Sequence, residues 1–292
     1  MRKNRFLVVT VLSVAIVCTT TFVSCKKDKS EEPNITYTLT VLSNDNKMGT
    51  VTGSGSYTEG TEATLTATPA SEACVFVKWS DGNTENPRTL TVTGNLELTA
   101  TFGYAFVDLG LPSGVKWATC NVGASSPFDT GDYFAWGEVT PKHTYSWITY
   151  KWYKGADGVF SKYCTDDNYG VIDNKTTLDL TDDAAHVNMG GAWRIPTNEE
   201  VDELRNYCNW VWMKNIGGYM VTGVNGNAMF LPAAGYCENS NVSDIGVYGN
   251  YWSNSLNEEN PTIAYYLGFR STYTFKNSYN RCYGRSVRGV FK

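Results

Sequence analysis

Apolar and polar positions alternate along residues 36–102, and threonine fills most of the polar positions. The alternating runs are 37–41, 49–53, 63–67, 90–92 and 96–100. A period of two predicts short antiparallel strands with one buried face, because successive side chains of a strand point to opposite faces. Trp79 precedes a turn signal at residues 81–83, and we expect it to fill the core of this module rather than to bind a ligand. The turn has too few oxygen ligands for a calcium loop.

Residues 104–292 combine strand-like runs with one helix signal. Thr197 and Glu200 have the spacing of a capping box. The apolar stripe that follows predicts a helix and comprises Val201, Leu204 and Cys208. The strand-like runs are 106–110, 115–122, 219–222, 227–231, 251–253, 264–270 and 286–291. Residues 139–180 have no sustained period, which is typical of a functional excursion or an insertion. The predicted fold class is α+β with mostly antiparallel strands.

Residues 1–24 have the features of an export signal. Cations within residues 2–5 precede an apolar run at residues 6–17, which is shorter than the about 20 residues that a transmembrane helix needs. The pair Ser24-Cys25 then resembles the lipobox of bacterial lipoproteins, in which the cysteine is acylated and becomes the N-terminus. This resemblance implies that acyl chains on Cys25 hold the protein on a membrane. A plain secretory signal is the alternative.

Residues 25–35 form a predicted tether, because the stretch after Cys25 is charged and free of apolar residues up to Asn34. Charged residues directly after a lipidated cysteine resemble the surface-export signals of outer-membrane lipoproteins in Bacteroidetes. The resemblance implies a lipid-anchored protein of the outer membrane that is displayed on the cell surface.

The composition argues against several partners. The 292 residues are 42% hydrophobic and 18% charged, with a net charge of -5. An acidic chain without a cationic cluster beyond its N-terminus does not suit a nucleic acid, whose phosphates need clustered cations. His143 and His186 are the two histidines, too few for a multi-histidine metal site. We therefore expect no nucleic-acid partner, no metal and no cofactor.

Six cysteines follow residue 25 and none forms a C-x-x-C pair, so zinc and thioredoxin-like sites are not indicated. An exported protein resides where disulfides persist. Cys120 and Cys208 flank the most strongly patterned segments of the C-terminal part, and we predict a disulfide between them. Buried free thiols are the alternative.

Five ordered motifs connect residues 36–103 to a known repeat. They are GTVTG at 49–53, YTEG at 57–60, TLTATP at 64–69, FVKWSDG at 76–82 and LTATF at 98–102. Their order and spacing resemble the divergent internalin-type B-repeat, also called the Listeria–Bacteroides repeat. This resemblance implies a small, β-rich, β-grasp-like module that acts as a spacer or in adhesion, without catalytic chemistry.

A second set of motifs extends through residues 104–292. The motifs include VDLGL at 107–111, VKWATCNVGA at 115–124, GDYFAWGE at 131–138, GAWRIPT at 191–197, FLPAAGY at 230–236, YWS at 251–253 and SVR at 286–288. They resemble the Fibrobacter succinogenes major paralogous domain, a lineage similar to the C-type lectin-like fold. The resemblance implies that the β-rich repeat module is followed by one C-type-lectin-like domain.

A tyrosine-rich segment, residues 273–283, is the candidate binding surface. Its alternate positions are Tyr273, Phe275, Asn277, Tyr279, Arg281 and Tyr283. Tyrosine and arginine give large contact areas at low entropic cost, as recognition surfaces require. We therefore predict that the C-terminal domain binds an extracellular glycan or protein. A strand whose aromatic side chains point inward is the alternative.

Two other function classes are weighed against binding. Formylglycine-generating enzymes share a related fold, but neither His143 nor His186 lies in a catalytic motif, so we do not expect an enzyme. A structural or fimbria-associated surface component is the main alternative. We also expect no calcium-dependent sugar site, because residues 258–261 have the wrong order for the lectin calcium loop.

Overall fold

A computed structural model describes residues 34–154 and 159–292. Cys25, the predicted signal peptide and most of the predicted tether lie outside the described residues. Residues Thr36–Lys292 form one compact unit. Among the helices of the described part, none has the length and apolar character needed to cross a membrane.

The first seven strands form two sheets. The strands are β1 (Thr36–Ser43), β2 (Gly49–Thr52), β3 (Gly55–Thr58), β4 (Glu62–Pro69), β5 (Cys74–Trp79), β6 (Arg88–Thr91) and β7 (Leu96–Tyr104). One sheet has the order β3-β1-β7-β5 and the other has the order β2-β4-β6. The antiparallel pairing predicted from the alternating pattern is confirmed for every pair except β1 and β7, which are parallel. A parallel pair needs a long connection, and five strands lie between these two in the chain.

Trp79 lies in the core of this module, as predicted. Its side chain is fully buried, with Leu39, Leu65 and Ala100 in the same cluster. The indole Nε1 donates a hydrogen bond to the Glu85 carbonyl oxygen at 2.9 Å, so the single polar atom of the buried ring is satisfied.

The segment after Trp79 is a turn, also as predicted. The backbone N–H of Asn83 donates to Asp81 Oδ1 at 3.1 Å, and Gly82 has a φ of +88°, which a glycine adopts without strain. Arg88 forms an ion pair with Asp81 at 2.6 Å, so the charge of this carboxylate is balanced by a cation of the chain.

The C-terminal part contains thirteen further strands and two α-helices among its described residues. The strands are β8 (Phe106–Asp108), β9 (Lys116–Ala118), β10 (Tyr153–Lys154), β11 (Val159–Phe160), β12 (Asn209–Trp212), β13 (Gly218–Thr222), β14 (Ala228–Pro232), β15 (Tyr236–Glu238), β16 (Asn241–Ser243), β17 (Gly249–Leu256), β18 (Ile263–Arg270), β19 (Tyr273–Asn280) and β20 (Val290–Phe291). The helices are α1 (Ala184–Met189) and α2 (Asn198–Tyr207). Short 3-10 helices lie at Trp147–Thr149, Asp167–Tyr169 and Leu180–Asp182.

Three small antiparallel sheets form the body of this part, with the orders β20-β9-β8, β12-β13-β14 and β17-β18-β19. The hairpins β10-β11 and β15-β16 complete the pairing. Strand β9 therefore pairs with the last strand, β20, on one side and with β8 on the other. Trp117 of β9 lies opposite Val290 of β20 and opposite Val107 of β8. This pairing brings the two ends of the C-terminal part together.

The predicted helix is confirmed as α2. The Thr197 side chain accepts a hydrogen bond from the Glu200 backbone N–H, and the Glu200 carboxylate accepts one from the Thr197 N–H, which completes the capping box. The side chains of Val201 and Leu204 are buried in the core. The strand predicted at 286–291 shortens to β20, because the residues before Val290 make isolated bridges instead of a continuous ladder.

An acidic residue anchors the irregular segment 139–180. Asp182 is buried and accepts hydrogen bonds from Lys162 Nζ at 2.5 Å, the Tyr163 hydroxyl at 2.8 Å and Lys151 Nζ at 3.0 Å. Burial by itself would raise the pKa of Asp182, but the hydrogen bonds from Lys162, Tyr163 and Lys151 outweigh it and lower that pKa.

Replacing Asp182 by asparagine is expected to lower the free energy of unfolding at pH 7 by ~1–3 kcal/mol, because charge-assisted hydrogen bonds are lost. A carboxyl whose folded-state pKa is lowered stabilises the fold above its unfolded pKa of about 3.9, and this stabilisation disappears as the pH falls through the folded value. As the pH is lowered from 5 to 2, the free energy of unfolding measured with urea should therefore fall less for the Asp182→Asn variant than for the parent. Asp167→Asn is the control, since Asp167 is exposed and forms no ion pair within the described residues. Parallel pH profiles for the parent and Asp182→Asn would contradict this role.

The structure does not form the predicted bridge between Cys120 and Cys208. All six described cysteines are free thiols. Cys208 caps α2 and packs against the cluster that contains Leu204, whereas Cys120 lies beside Thr119. Burial raises the pKa of both thiols, that of Cys208 to about 11, which favours the protonated form.

Candidate functional site

An open cleft of about 270 Å³ lies among the last strands of the C-terminal part. Its wall combines aromatic rings with two arginines and two carboxylates. The lining residues are Tyr236, Glu238, Asp244, Tyr248, Asn250, Tyr266, Arg270, Phe275, Tyr279, Tyr283 and Arg285. Aromatic walls with a few polar groups are typical of small-molecule sites, although this volume is near the lower end of the usual ~300–1,000 Å³.

Strand β19 contributes Phe275 and Tyr279 from one face. The strand lies at the edge of its sheet and pairs with β18, with Phe275 opposite Gly268 and Tyr279 opposite Ala264. A Cβ atom at Gly268 would lie 2.3 Å from the Phe275 ring, so this position has to be a glycine for the ring to keep its place. Alternation along the strand then puts Phe275 and Tyr279 on the same side.

The other half of the cleft is built where β15 meets residues 283–285. Cys237 and Gly284 form an antiparallel bridge, so Tyr236 and Tyr283 lie diagonally across it on the same face. The two tyrosine rings are nearly parallel, at 9°, with centroids 6.4 Å apart. Tyr279 contacts the same Tyr283 ring at 5.4 Å. Three tyrosines from two distant parts of the sequence thus form one aromatic surface.

The predicted binding segment is divided between three environments. Phe275, Tyr279 and Tyr283 line the cleft. Tyr273 and Asn277 are exposed but do not line it. The prediction for Arg281 requires a correction, because this side chain is fully buried.

Arg281 is buried because β19 ends at Asn280 and the alternation ends with it. Its Nη1 donates to the Tyr163 carbonyl oxygen at 2.7 Å, and its guanidinium lies 3.8 Å from the centre of the Phe160 ring. Arg281 therefore supports the irregular segment from within and does not face a ligand.

Arg285 is the buried cation of the cleft. Only 3% of it is exposed, and its guanidinium lies 3.8 Å from the centre of the Tyr266 ring. Nη1 donates a hydrogen bond to Asn250 Oδ1 at 2.5 Å, whereas Nε has no partner. Burial lowers the pKa of Arg285 to about 10, so the side chain still carries its charge at neutral pH.

Opposite charges lie in the same cavity. The Tyr283 hydroxyl donates a short hydrogen bond to Glu238, and burial together with this bond raises the pKa of Tyr283. The Arg270 guanidinium lies 3.8 Å from the centre of the Tyr248 ring. Over the described part of the chain, neither Glu238 nor Asp244 forms an ion pair with an arginine. The cleft can therefore offer both hydrogen-bond donors and acceptors to a bound molecule.

The histidines are located away from this cleft. His143 is exposed, and His186 lies on α1 with its Nδ1 atom 3.1 Å from the Trp193 carbonyl oxygen. Within residues 34–154 and 159–292, no group of three His, Cys, Asp or Glu side chains is arranged to hold a metal ion.

The sequence pattern of residues 273–283 indicated part of the cleft, but it did not indicate the lining residues that come from other parts of the chain. Tyr236, Glu238, Tyr266 and Arg285 come from separate elements, and no local pattern marks them as neighbours. Tyr236 belongs to the FLPAAGY motif at 230–236, which is the one signal that could have singled it out.

Comparisons with known proteins bear on the first module. A search of curated proteins found no match, and a search of solved structures found none either. Residues 37–105 match the family described as the divergent InlB B-repeat domain, which confirms the repeat part of the resemblance. This segment of the chain is therefore similar to that family.

Proposed function

We propose that this chain is a lipid-anchored surface protein whose C-terminal domain binds an extracellular ligand, a glycan or a protein, without catalysing a reaction on it. The observation that carries the proposal is the cleft in which Tyr236, Tyr279 and Tyr283 meet beside the buried Arg285. The match to a divergent InlB B-repeat domain supports a surface-associated protein.

The exposure of the aromatic rings supports binding over a purely structural role. Tyr279 is 47% exposed although its neighbours Tyr266 and Arg285 are buried. Leaving such rings in water forgoes the favourable free energy of burying them, about 25 cal/mol per Å² of apolar surface. A ligand that covers the rings recovers this free energy, and tyrosines lose little conformational entropy when they are covered.

The repeat module would act as a spacer between the anchor and the binding domain. Strand β8 begins two residues after β7 ends, and the Tyr104 hydroxyl donates to the Asn188 carbonyl oxygen at 3.1 Å. Ala105 N–H also donates to the Ala73 carbonyl oxygen at 2.9 Å. These contacts across the junction support a spacer that holds a C-type-lectin-like domain in a defined position.

The anchor is proposed from the Ser24-Cys25 motif and would place the chain in the outer membrane, facing outward. Mass spectrometry of the N-terminal peptide tests it. An acylated Cys25 is expected, and an unmodified cysteine inside a longer peptide would contradict the anchor.

The binding proposal is tested with a glycan and protein array probed with residues 26–292, which contain the whole compact unit. Tyr279→Ala is expected to weaken binding by about tenfold or more, as truncation of a tyrosine hot spot does. Tyr207→Ala is the matched control, since Tyr207 lies at the end of α2, is 53% exposed and does not line the cleft. Its affinity should equal that of the parent.

Two outcomes would count against the proposal. The first is that no component of the array binds the parent protein. The second is that Tyr279→Ala binds as tightly as the parent. Circular dichroism of both variants verifies that they are folded, so that a loss of affinity reports on the cleft.

A further inference from the structure

Arg285 differs from the other two buried arginines of the C-terminal strands. Arg281 and Arg288 each use both Nη atoms in hydrogen bonds to backbone carbonyl oxygens. Arg285 has five N–H donors, and the one hydrogen bond they make to the described residues goes to Asn250 Oδ1. The buried Nε atoms of Arg281 and Arg285 both lack a partner among these residues, so Arg285 differs from Arg281 in its Nη atoms. Of these three buried arginines, Arg285 is the one that lines the cleft.

The charge of Arg285 also has no counterion in the described part of the chain, where no carboxylate forms an ion pair with it. Arg281 and Arg288 share this property, but they do not line the cleft. Contacts with the rings of Tyr266 at 3.8 Å and Trp252 at 4.9 Å offset part of the cost of burying a cation. An unpaired buried charge remains costly, and an anion that enters the cleft would relieve this cost.

The other polar groups of the cleft indicate which further chemical groups the ligand carries. Glu238 and Asp244 are acceptors for hydroxyl groups and repel further negative charge. A saccharide ring presents hydroxyl groups at its edge and C–H groups on its faces, which complement carboxylates and tyrosine rings respectively. An acidic peptide would bring several carboxylates close to Glu238 and Asp244.

We propose that the cleft selects saccharides that carry a carboxylate, with this carboxylate on Arg285 and the sugar ring against Tyr279 and Tyr283. The inference rests on the proposed function and specifies its ligand class. The planar guanidinium can donate two parallel hydrogen bonds to one carboxylate, which a neutral sugar cannot accept with the same strength.

The test is an array of uronate- and sialate-containing oligosaccharides, each printed beside its own methyl ester. The ester keeps the ring and its hydroxyl groups and removes the charge. The parent protein, as residues 26–292, should bind at least one acid about tenfold more tightly than its ester, because hydrogen bonds to charged groups are the stronger ones. The preference should weaken as salt is added.

Arg285→Lys keeps a cation but loses the planar pair of donors, so the preference for the acid over its ester should shrink. Tyr207→Ala should leave that preference unchanged. If Arg285→Lys does not fold, the comparison of each acid with its ester on the parent protein still tests whether the cleft prefers a carboxylate.

Three results overturn the inference: esters that bind as tightly as acids, neutral glycans that bind best, or binding of acidic peptides alone. Each of these leaves the proposed function standing as long as Tyr279→Ala weakens the binding that is observed. Absence of binding to any saccharide or protein would instead contradict the proposed function itself.

Discussion

Replacing Arg288 by glutamine is expected to lower the free energy of unfolding by ~3–5 kcal/mol, because several buried acceptors lose their donor at once. Arg288 is 1% exposed, and its Nε donates to Asn121 Oδ1 at 2.9 Å. Its Nη atoms donate to the carbonyl oxygens of Ala118 at 3.0 Å and Phe230 at 3.1 Å. The side chain thus connects β9 to β14, two strands of different sheets.

Urea unfolding followed by circular dichroism measures the effect. Arg270→Gln is the matched control, since Arg270 is exposed and its removal, which costs only its contact with the Tyr248 ring, should change the free energy of unfolding by about 1 kcal/mol or less. If Arg288→Gln unfolds at the same urea concentration as the parent, the hydrogen bonds of Arg288 do not hold these sheets together.

Trp79→Ala is expected to destabilise the repeat module by ~3–5 kcal/mol, the cost of removing a fully buried aromatic ring and leaving a cavity. The ring packs against Phe76 with centroids 5.2 Å apart, in a cluster that joins both sheets of the module. The Glu85 carbonyl oxygen also loses its donor.

The same strand provides the control for Trp79→Ala. Val77 lies on β5 and is 46% exposed, so Val77→Ala should have a small effect. Trp79→Phe should cost less than Trp79→Ala, because the smaller ring fills part of the cavity. Equal stability of Trp79→Ala and Val77→Ala in guanidinium unfolding would contradict the central position of Trp79.

The fold was predictable where its pattern is local. The alternation with threonine predicted the strands of the module, and the spacing of Thr197 and Glu200 predicted α2. The parallel pairing of β1 and β7 was not predictable, because alternation shows which face of a strand is buried but does not identify the neighbouring strand. The Cys120–Cys208 pairing failed for a related reason, since spacing along the chain gives no distance between thiols.

The cleft was predictable only in part. The tyrosine-rich segment indicated Phe275, Tyr279 and Tyr283, which lie in it. Arg281 was assigned to the same face because the alternation was extended beyond Asn280, where the strand ends. Arg285 was missed because an arginine that is buried without a counterion has no signature in a single sequence.

NMR with ring-labelled tyrosine shows directly whether the aromatic cleft is the ligand site. Residues 26–292 would be titrated with the saccharide that binds best on the array, and tyrosine resonances would be assigned by single Tyr→Phe variants. The signals of Tyr236, Tyr279 and Tyr283 are expected to shift with saturation, while that of the exposed Tyr207 stays in place. Saturable shifts of other tyrosines, with these three unchanged, would contradict this assignment.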